Sequence, residues 1–218
     1  MEKKDILSAL EKAKKETKKR NFKQAIDFSI VLKEVDLNKP EGKIDDFISL
    51  PNPTGRKTKV CGLVDKDLST QSREVFDMTI TKEEFSKYSG KLRDLKKLAR
   101  AYDYFVAQAT IMTDIAATFG KAFGPKGKMP SPKAGCIVQS KADLKVLNER
   151  LQKMVLIKTK KQPVISIKIG MEDSPDEEVA DNAMAVYEFI KKRLPCGDQQ
   201  IKKTYIKLTM GKPEVTGA

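Results

Sequence analysis

Apolar and polar positions along this chain follow two rhythms, a helical one and a strand-like one, which alternate in a telling order. Residues 2–19 set Ile6, Leu7, Leu10 and Ala13 at helical spacing in a Lys- and Glu-rich segment, which predicts an amphipathic helix. Phe22, Ile26, Phe28, Ile30 and Leu32 then fall on alternate positions, with Ala25, Asp27, Ser29 and Val31 between them. Period two over that length predicts a strand with one buried face. A second short strand is expected at Ile44–Leu50, before the turn-rich break Pro51–Lys57.

From Lys59 the texture changes. Val60–Val64 predicts a short buried strand, Leu68–Phe76 a helix and Met78–Ile80 another strand, and Thr81-Lys82-Glu83-Glu84 has the form of a capped helix start. A basic helix at Lys91–Arg100 leads to a strand at Tyr102–Gln108, and Ile111–Phe123 returns to helical period. Strands alternating with helices in units of this length predict βαβ connections and a parallel, three-layer sheet. After the loop Gly124–Gly135 a helix is expected at Asp143–Met154. Val155–Thr159 and Val164–Ile169 follow as two strands joined, hairpin-like, by Lys160–Pro163. Ser174 is expected to cap a helix whose first turn is acidic (Asp176, Glu177, Glu178) and whose last turn is basic (Lys191, Lys192, Arg193), matching the macrodipole. The final strand is predicted at Ile201–Met210.

The fold class expected is therefore mixed α/β and α+β in two domains. Residues 1–56 and 156–218 together make a discontinuous α+β outer domain, residues 59–153 an inserted α/β domain, with hinges near 57–58 and 154–155.

Charge and composition narrow the function. The 218 residues carry 43 Lys+Arg against 30 Asp+Glu, a net +13. The excess is clustered: residues 1–23 hold nine bases and four acids, 150–171 six bases and no acid, and 191–212 seven bases against Asp198 alone. Such clustering points to a polyanionic partner. The Lys-rich first helix and the basic helix at 91–100 each read equally well as solvated faces. The chain has no His, which excludes Ser-His-Asp and Cys-His catalysis, His-ligated zinc and HExxH proteases. Cys61, Cys136 and Cys196 are scattered and odd in number, neither a disulfide framework nor a zinc knuckle. The longest apolar stretches fall far short of the ~20 residues that span a bilayer, and the first residues lack the apolar core of a signal peptide. A cytoplasmic, non-enzymatic protein without cofactor or metal is expected.

Among short motifs, Ala122 and Met129 stand where a Walker A loop needs Gly and Ser/Thr, and no GxGxxG occurs. The acidic run 172–178 suits a helix N-terminus better than a metal site. Gly124-Pro125-Lys126-Gly127 matches the weak GxxG pattern of KH-type single-strand binders, which makes a KH-like single-stranded RNA-binding regulator one reading. Near the end, Thr209-Met210-Gly211 puts a hydroxyl, a pliable thioether and bare backbone together at a strand end, where a ribose-phosphate chain could approach closely.

Arg20-Asn21-Phe22, Leu98–Gln108, Phe123-Gly124-Pro125-Lys126-Gly127-Lys128-Met129-Pro130 and Thr204–Gly211, taken together and in order, resemble the large-subunit ribosomal protein L-one family of the mobile stalk. The segment 32–36 and the Lys-Pro pair at 39–40 look archaeal rather than bacterial. The resemblance implies a discontinuous first domain, an inserted Rossmann-like second domain and a hinge. It implies binding to the large-subunit rRNA stalk beside the tRNA exit site, help with tRNA release, and a free monomer. It also implies that exit-site tRNA and an mRNA element of the protein's own operon, repressed in translation, are partners. By the same resemblance, the RNA-binding residues are Phe22, Lys23, Asp27 (usually Glu in the family), Lys158, Thr159, Thr209, Met210, Gly211 and Lys212, with Lys126 and Lys128 as secondary contacts.

Overall fold

The computed structural model describes residues 2–18, 20–35, 42–140, 142–159 and 162–217. The chain divides into two compact units, Met1–Arg56 with Lys153–Ala218, and Lys57–Gln152. Residues 36 and 39–40, which carry part of the archaeal resemblance, lie outside the described residues, as do 160 and 161.

In the first unit, β1 (Ala25–Leu32) lies between two strands from the far end of the chain. Its buried Ile26, Phe28, Ile30 and Leu32 alternate with half-exposed Ala25, Asp27, Ser29 and Val31. β8 (Val164–Met171) pairs antiparallel on one side and β9 (Ile201–Leu208) on the other. β10 (Glu214–Gly217) adds outside β9, giving the order β10-β9-β1-β8. The buried face packs under α1 (Lys3–Glu16) and α7 (Asp176–Arg193), through Ile6, Leu10, Val179, Ala183, Val186 and Ile190. The opposite face stays open.

Three expectations for this unit are corrected. Strand β7 (Met154–Lys158) makes no hairpin with β8; it pairs antiparallel with β2 (Asp45–Ser49) in a separate two-stranded sheet. The Thr159 N–H and hydroxyl both fasten to the Ile44 backbone and close that pairing. Ser174 is not the helix cap: its Oγ accepts the Met171 N–H at 3.2 Å, and Pro175 occupies the cap position. The last predicted strand stops at Leu208, because residues 209–211 turn, and β10 follows unannounced by any clear alternation.

The second unit is a parallel sheet in the order β4-β3-β5-β6, from β3 (Val60–Val64), β4 (Met78–Thr81), β5 (Tyr104–Gln108) and the two-residue β6 (Ile137–Val138). β6 is too short for the sequence pattern to reveal. One face packs α3 (Phe85–Tyr88), α4 (Leu92–Ala101) and α5 (Met112–Phe123) around Phe105, Phe119 and Phe123, whose rings stack at 4.1 and 5.3 Å. The other face meets α2 (Lys66–Val75) and α6 (Leu144–Lys153), which the Asn148 amide ties to the Val75 carbonyl. Thr81 and Glu84 form a reciprocal capping box at the start of the turn before α3.

Packing between β3 and α2 is closest at Gly62, where an added Cβ would sit 2.3 Å from Ser72 Oγ and 2.8 Å from the Phe76 ring. Gly62→Ala is expected to cost about 1–3 kcal/mol, the usual range for overpacking. Gly120, inside α5 with nothing near its Cβ position, is the counterpart: Gly120→Ala is expected to stabilise by about 0.4–1 kcal/mol. Urea unfolding midpoints moving in opposite directions would check both; a neutral Gly62→Ala would contradict this packing.

Candidate nucleic-acid interface

The turn at Thr209-Met210-Gly211 is built from its own chain. The Thr209 hydroxyl accepts the Ala25 N–H at 3.0 Å and donates to the Ala25 carbonyl at 3.2 Å. The Thr209 N–H donates to the same carbonyl. Gln24, fully buried, holds the Met210 N–H with its Oε1 at 3.1 Å. Gly211 donates back to the Leu208 carbonyl, and a Cβ there would lie 2.4 Å from Thr17 Oγ1 just past α1. Thr209 and Gly211 thus shape the turn, and what they present outward is the Met210 side chain, 59% exposed. Phe22, two residues before Gln24, is 52% exposed. Both are large apolar side chains left in water, joined through Gln24, which lies two residues from Phe22 and binds the Met210 N–H.

Beside this turn the open face of the sheet begins with a charged row. Asp27 on β1 lies opposite Lys168 on β8 and Lys207 on β9. Burial pushes the Asp27 carboxyl above its ordinary value, with Lys207 and then Lys168 opposing that shift. The β1–β8 register slips between Ile26 and Asp27, a bulge that sets this row. The next row is Tyr205, Ser29 and Ser166, with Ser29 Oγ donating to Ser166 Oγ at 3.0 Å. Lysines, hydroxyls and one ring on a flat face offer charge, donors and a stacking surface together, the chemistry that RNA backbone and bases require.

The structure brings Phe22, Lys23, Asp27, Thr209, Met210, Gly211 and Lys212 to one end of this sheet. Lys23 is exposed and ion-paired with Asp173, which holds its ammonium above the ordinary value. Lys158 and Thr159 lie apart from these residues, at the β2–β7 sheet. There Lys158 pairs with Asp45 at 2.7 Å and Thr159 is buried. The strand next to β1 on that side is β8, which carries Lys168 opposite Asp27. Lys126 and Lys128 lie in the other unit. The Gly-Pro-Lys-Gly pattern there is the end of α5: Gly127, left-handed at φ 64°, donates to Gly124 O, and Lys128 N–H reaches Phe123 O. It serves to stop a helix, and each lysine ammonium caps a carbonyl, Lys96 O at 2.8 Å and Tyr102 O at 2.6 Å.

Lys168, Lys207, Gln24 and Thr17 were missed by sequence reasoning. The two lysines alternate with buried Ile167, Ile169, Ile206 and Leu208 in plain sight, but only strand order shows that they flank Asp27. No group of His, Cys, Asp or Glu among the described residues could hold a metal ion, and no described helix is long and apolar enough to cross a membrane.

Residues 13–212 match the family described as "Ribosomal protein L1p/L10e family". The chain is 38% identical over 211 residues to large ribosomal subunit protein uL1 of Methanocaldococcus jannaschii, covering 97% of this chain and 94% of that protein. It is 37% identical over 213 residues to uL1 of Methanothermococcus thermolithotrophicus, covering 98% of each. With uL1 of Methanothermobacter thermautotrophicus the identity is 36% over 208 residues, 95% of this chain and 96% of that one.

The contact at Gly211 generates a double-substitution prediction. Gly211→Ala is expected to drive Thr17 off the turn and lower the unfolding midpoint by about 1–3 kcal/mol in free energy. Adding Thr17→Ala, which removes the opposing oxygen, should recover most of that loss. Additive losses in the double variant would show that the two residues do not touch.

Proposed function

This chain belongs to the ribosomal protein L1p/L10e family, whose members are structural, non-enzymatic constituents of the large ribosomal subunit associated with its rRNA, and from that premise we propose that it binds the stalk region of large-subunit rRNA near the tRNA exit site. The observation that carries the reading is the pair of exposed apolar side chains, Phe22 and Met210, set beside the Lys207–Asp27–Lys168 row. Backbone phosphates meet the lysines. A base or sugar face packs on Met210 or Phe22. Asp27, an acceptor once ionised, takes a ribose 2′-hydroxyl, which distinguishes RNA from DNA. Its arm is one methylene shorter than the family's usual Glu, so the RNA backbone must approach the sheet more closely here.

The proposal extends to the partners. Movement between the two units, about hinges near 57–58 and 154–155, would let the protein follow the stalk as exit-site tRNA leaves. An mRNA element of its own operon that copies the rRNA site would be bound by the same surface and its translation repressed. Lys126 and Lys128 would add a secondary contact from the inserted unit.

The charge on α1 is less available than its composition suggests. Lys3 and Lys14 pair with Asp181 and Asp176 on α7, and Lys15 pairs with Glu11. Met210→Asp should therefore weaken binding to a folded stalk rRNA fragment by about tenfold or more, ~1.4 kcal/mol, while Lys12→Gln changes it by less than about twofold. Filter binding at fixed salt would measure both, and equal losses would remove the triad from the specific site. A single-stranded RNA of equal length bound as well as the folded fragment would favour the KH-like alternative. A band-shift with the operon leader that excess rRNA fragment fails to compete away would count against a shared surface.

A further inference from the structure

We infer that the polar face of α4, with Lys126 laid across its last turn, is a second RNA-binding surface that takes backbone phosphates without regard to sequence. This rests on RNA being the partner in the proposed function, and assigns residues that the terminal sheet does not use. Arg93, Lys96, Lys97 and Arg100 recur at i, i+3, i+4 and i+7, so they form one stripe about 10 Å long. All four are exposed. The bond from Lys126 Nζ to the Lys96 carbonyl places a fifth cation against the same turn.

Among the described residues no acid forms an ion pair with the stripe, although four other lysines of the same unit have such partners. Lys57, Lys66, Lys82 and Lys87 pair with Asp77, Glu83, Asp114 and Glu84. Among the described residues no ion pair reaches Arg93, Lys96, Lys97, Arg100, Lys126 or Lys128. Asp94, the acid on α4 itself, makes its effect felt at the Tyr88 phenol, where it helps to raise the proton affinity. Like charges at three- and four-residue spacing oppose helix formation. At Lys126 the ammonium is held below its ordinary value by burial first and then by Arg100, Lys128 and Lys96. A row of phosphates along the stripe would relieve that repulsion. Guanidinium and ammonium groups in line suit the regularly spaced charges of a nucleic-acid strand. The exposed face of α4 has no aromatic ring on which a base could stack, so the contact positions RNA and does not read it.

The test uses the full chain carrying Arg93→Gln, Lys97→Gln and Arg100→Gln, which leaves the Lys126–Lys96 clasp in place. Its affinity for a folded stalk rRNA fragment is measured across a range of salt concentrations beside the wild type. Each lost phosphate contact should flatten the log–log salt slope by about 0.7 to 0.9, so the three together by about 2 to 3. Preference for the folded fragment over a scrambled one should be kept. A slope equal to the wild type's would overturn the inference and leave the proposed function standing. Loss of preference as large as that of Met210→Asp would also overturn it, by making the stripe part of the specific site. A wild type that binds neither RNA would overturn both. Should the triple variant melt below the wild type, Arg93→Gln/Arg100→Gln carries the same test, with an expected flattening of about 1.4 to 1.8.

Discussion

Everything in the outer unit depends on β1 being hydrogen-bonded along both edges by strands that come more than a hundred residues later. A central strand has no unpaired backbone to satisfy elsewhere, and β1 finds its partners in β8 and β9. That pairing fixes which face is buried, because a one-residue slip would turn Ile26, Phe28, Ile30 and Leu32 outward. It also fixes the candidate site. Asp27 meets Lys168 and Lys207 only in this register, and the Thr209 hydroxyl clips the turn to Ala25 at the point where β1 begins. Stability and recognition therefore share one set of bonds.

Positive charge is distributed along the same lines. On α1 and around residues 172–173 it is partly cancelled by acids of the outer unit, whereas along α4 it is left uncancelled. Under the proposed function, the first arrangement leaves shape, apolar contact and hydroxyl chemistry to decide what binds. The second supplies attraction that fades with salt. A protein holding a large, structured RNA gains from both, since phosphate contacts position and the remaining contacts specify.

Period-two alternation in 25–32 and 201–208, and the alternation of strand and helix from 60 to 123, were legible because each follows from local periodicity. The mixed fold class follows from them. Strand order was not legible, and the misassigned partner of β7 shows why: hairpin proximity in sequence lost to the closure of Ile44 onto Thr159, a contact 115 residues apart. The same gap hid Lys168 and Lys207, whose importance lies in which strands stand beside β1. Ser174 misled because its hydroxyl serves the Met171 turn. Phe22 and Met210 were found through family resemblance; their exposure supplies the physical reason.

The two units differ in one respect that bears on how the protein is made. Residues 57–152 are contiguous, and all four strands of their sheet are present once that stretch has been synthesised. The apolar face of β1, by contrast, waits for β8 and β9. At roughly 5–20 residues per second, the interval between completing β1 and completing β9 is on the order of 10 to 35 s. Once residue 152 has been added the nascent chain has a complete middle and an unpaired beginning, with only Asp27 and Ser29 among the alternates of β1 to discourage aggregation. The turn at 209–211 does not form until the strand that leads into Thr209 has docked. A chain abandoned before that point would carry the basic stripe of α4 but not the turn at 209–211, so the candidate site is assembled last.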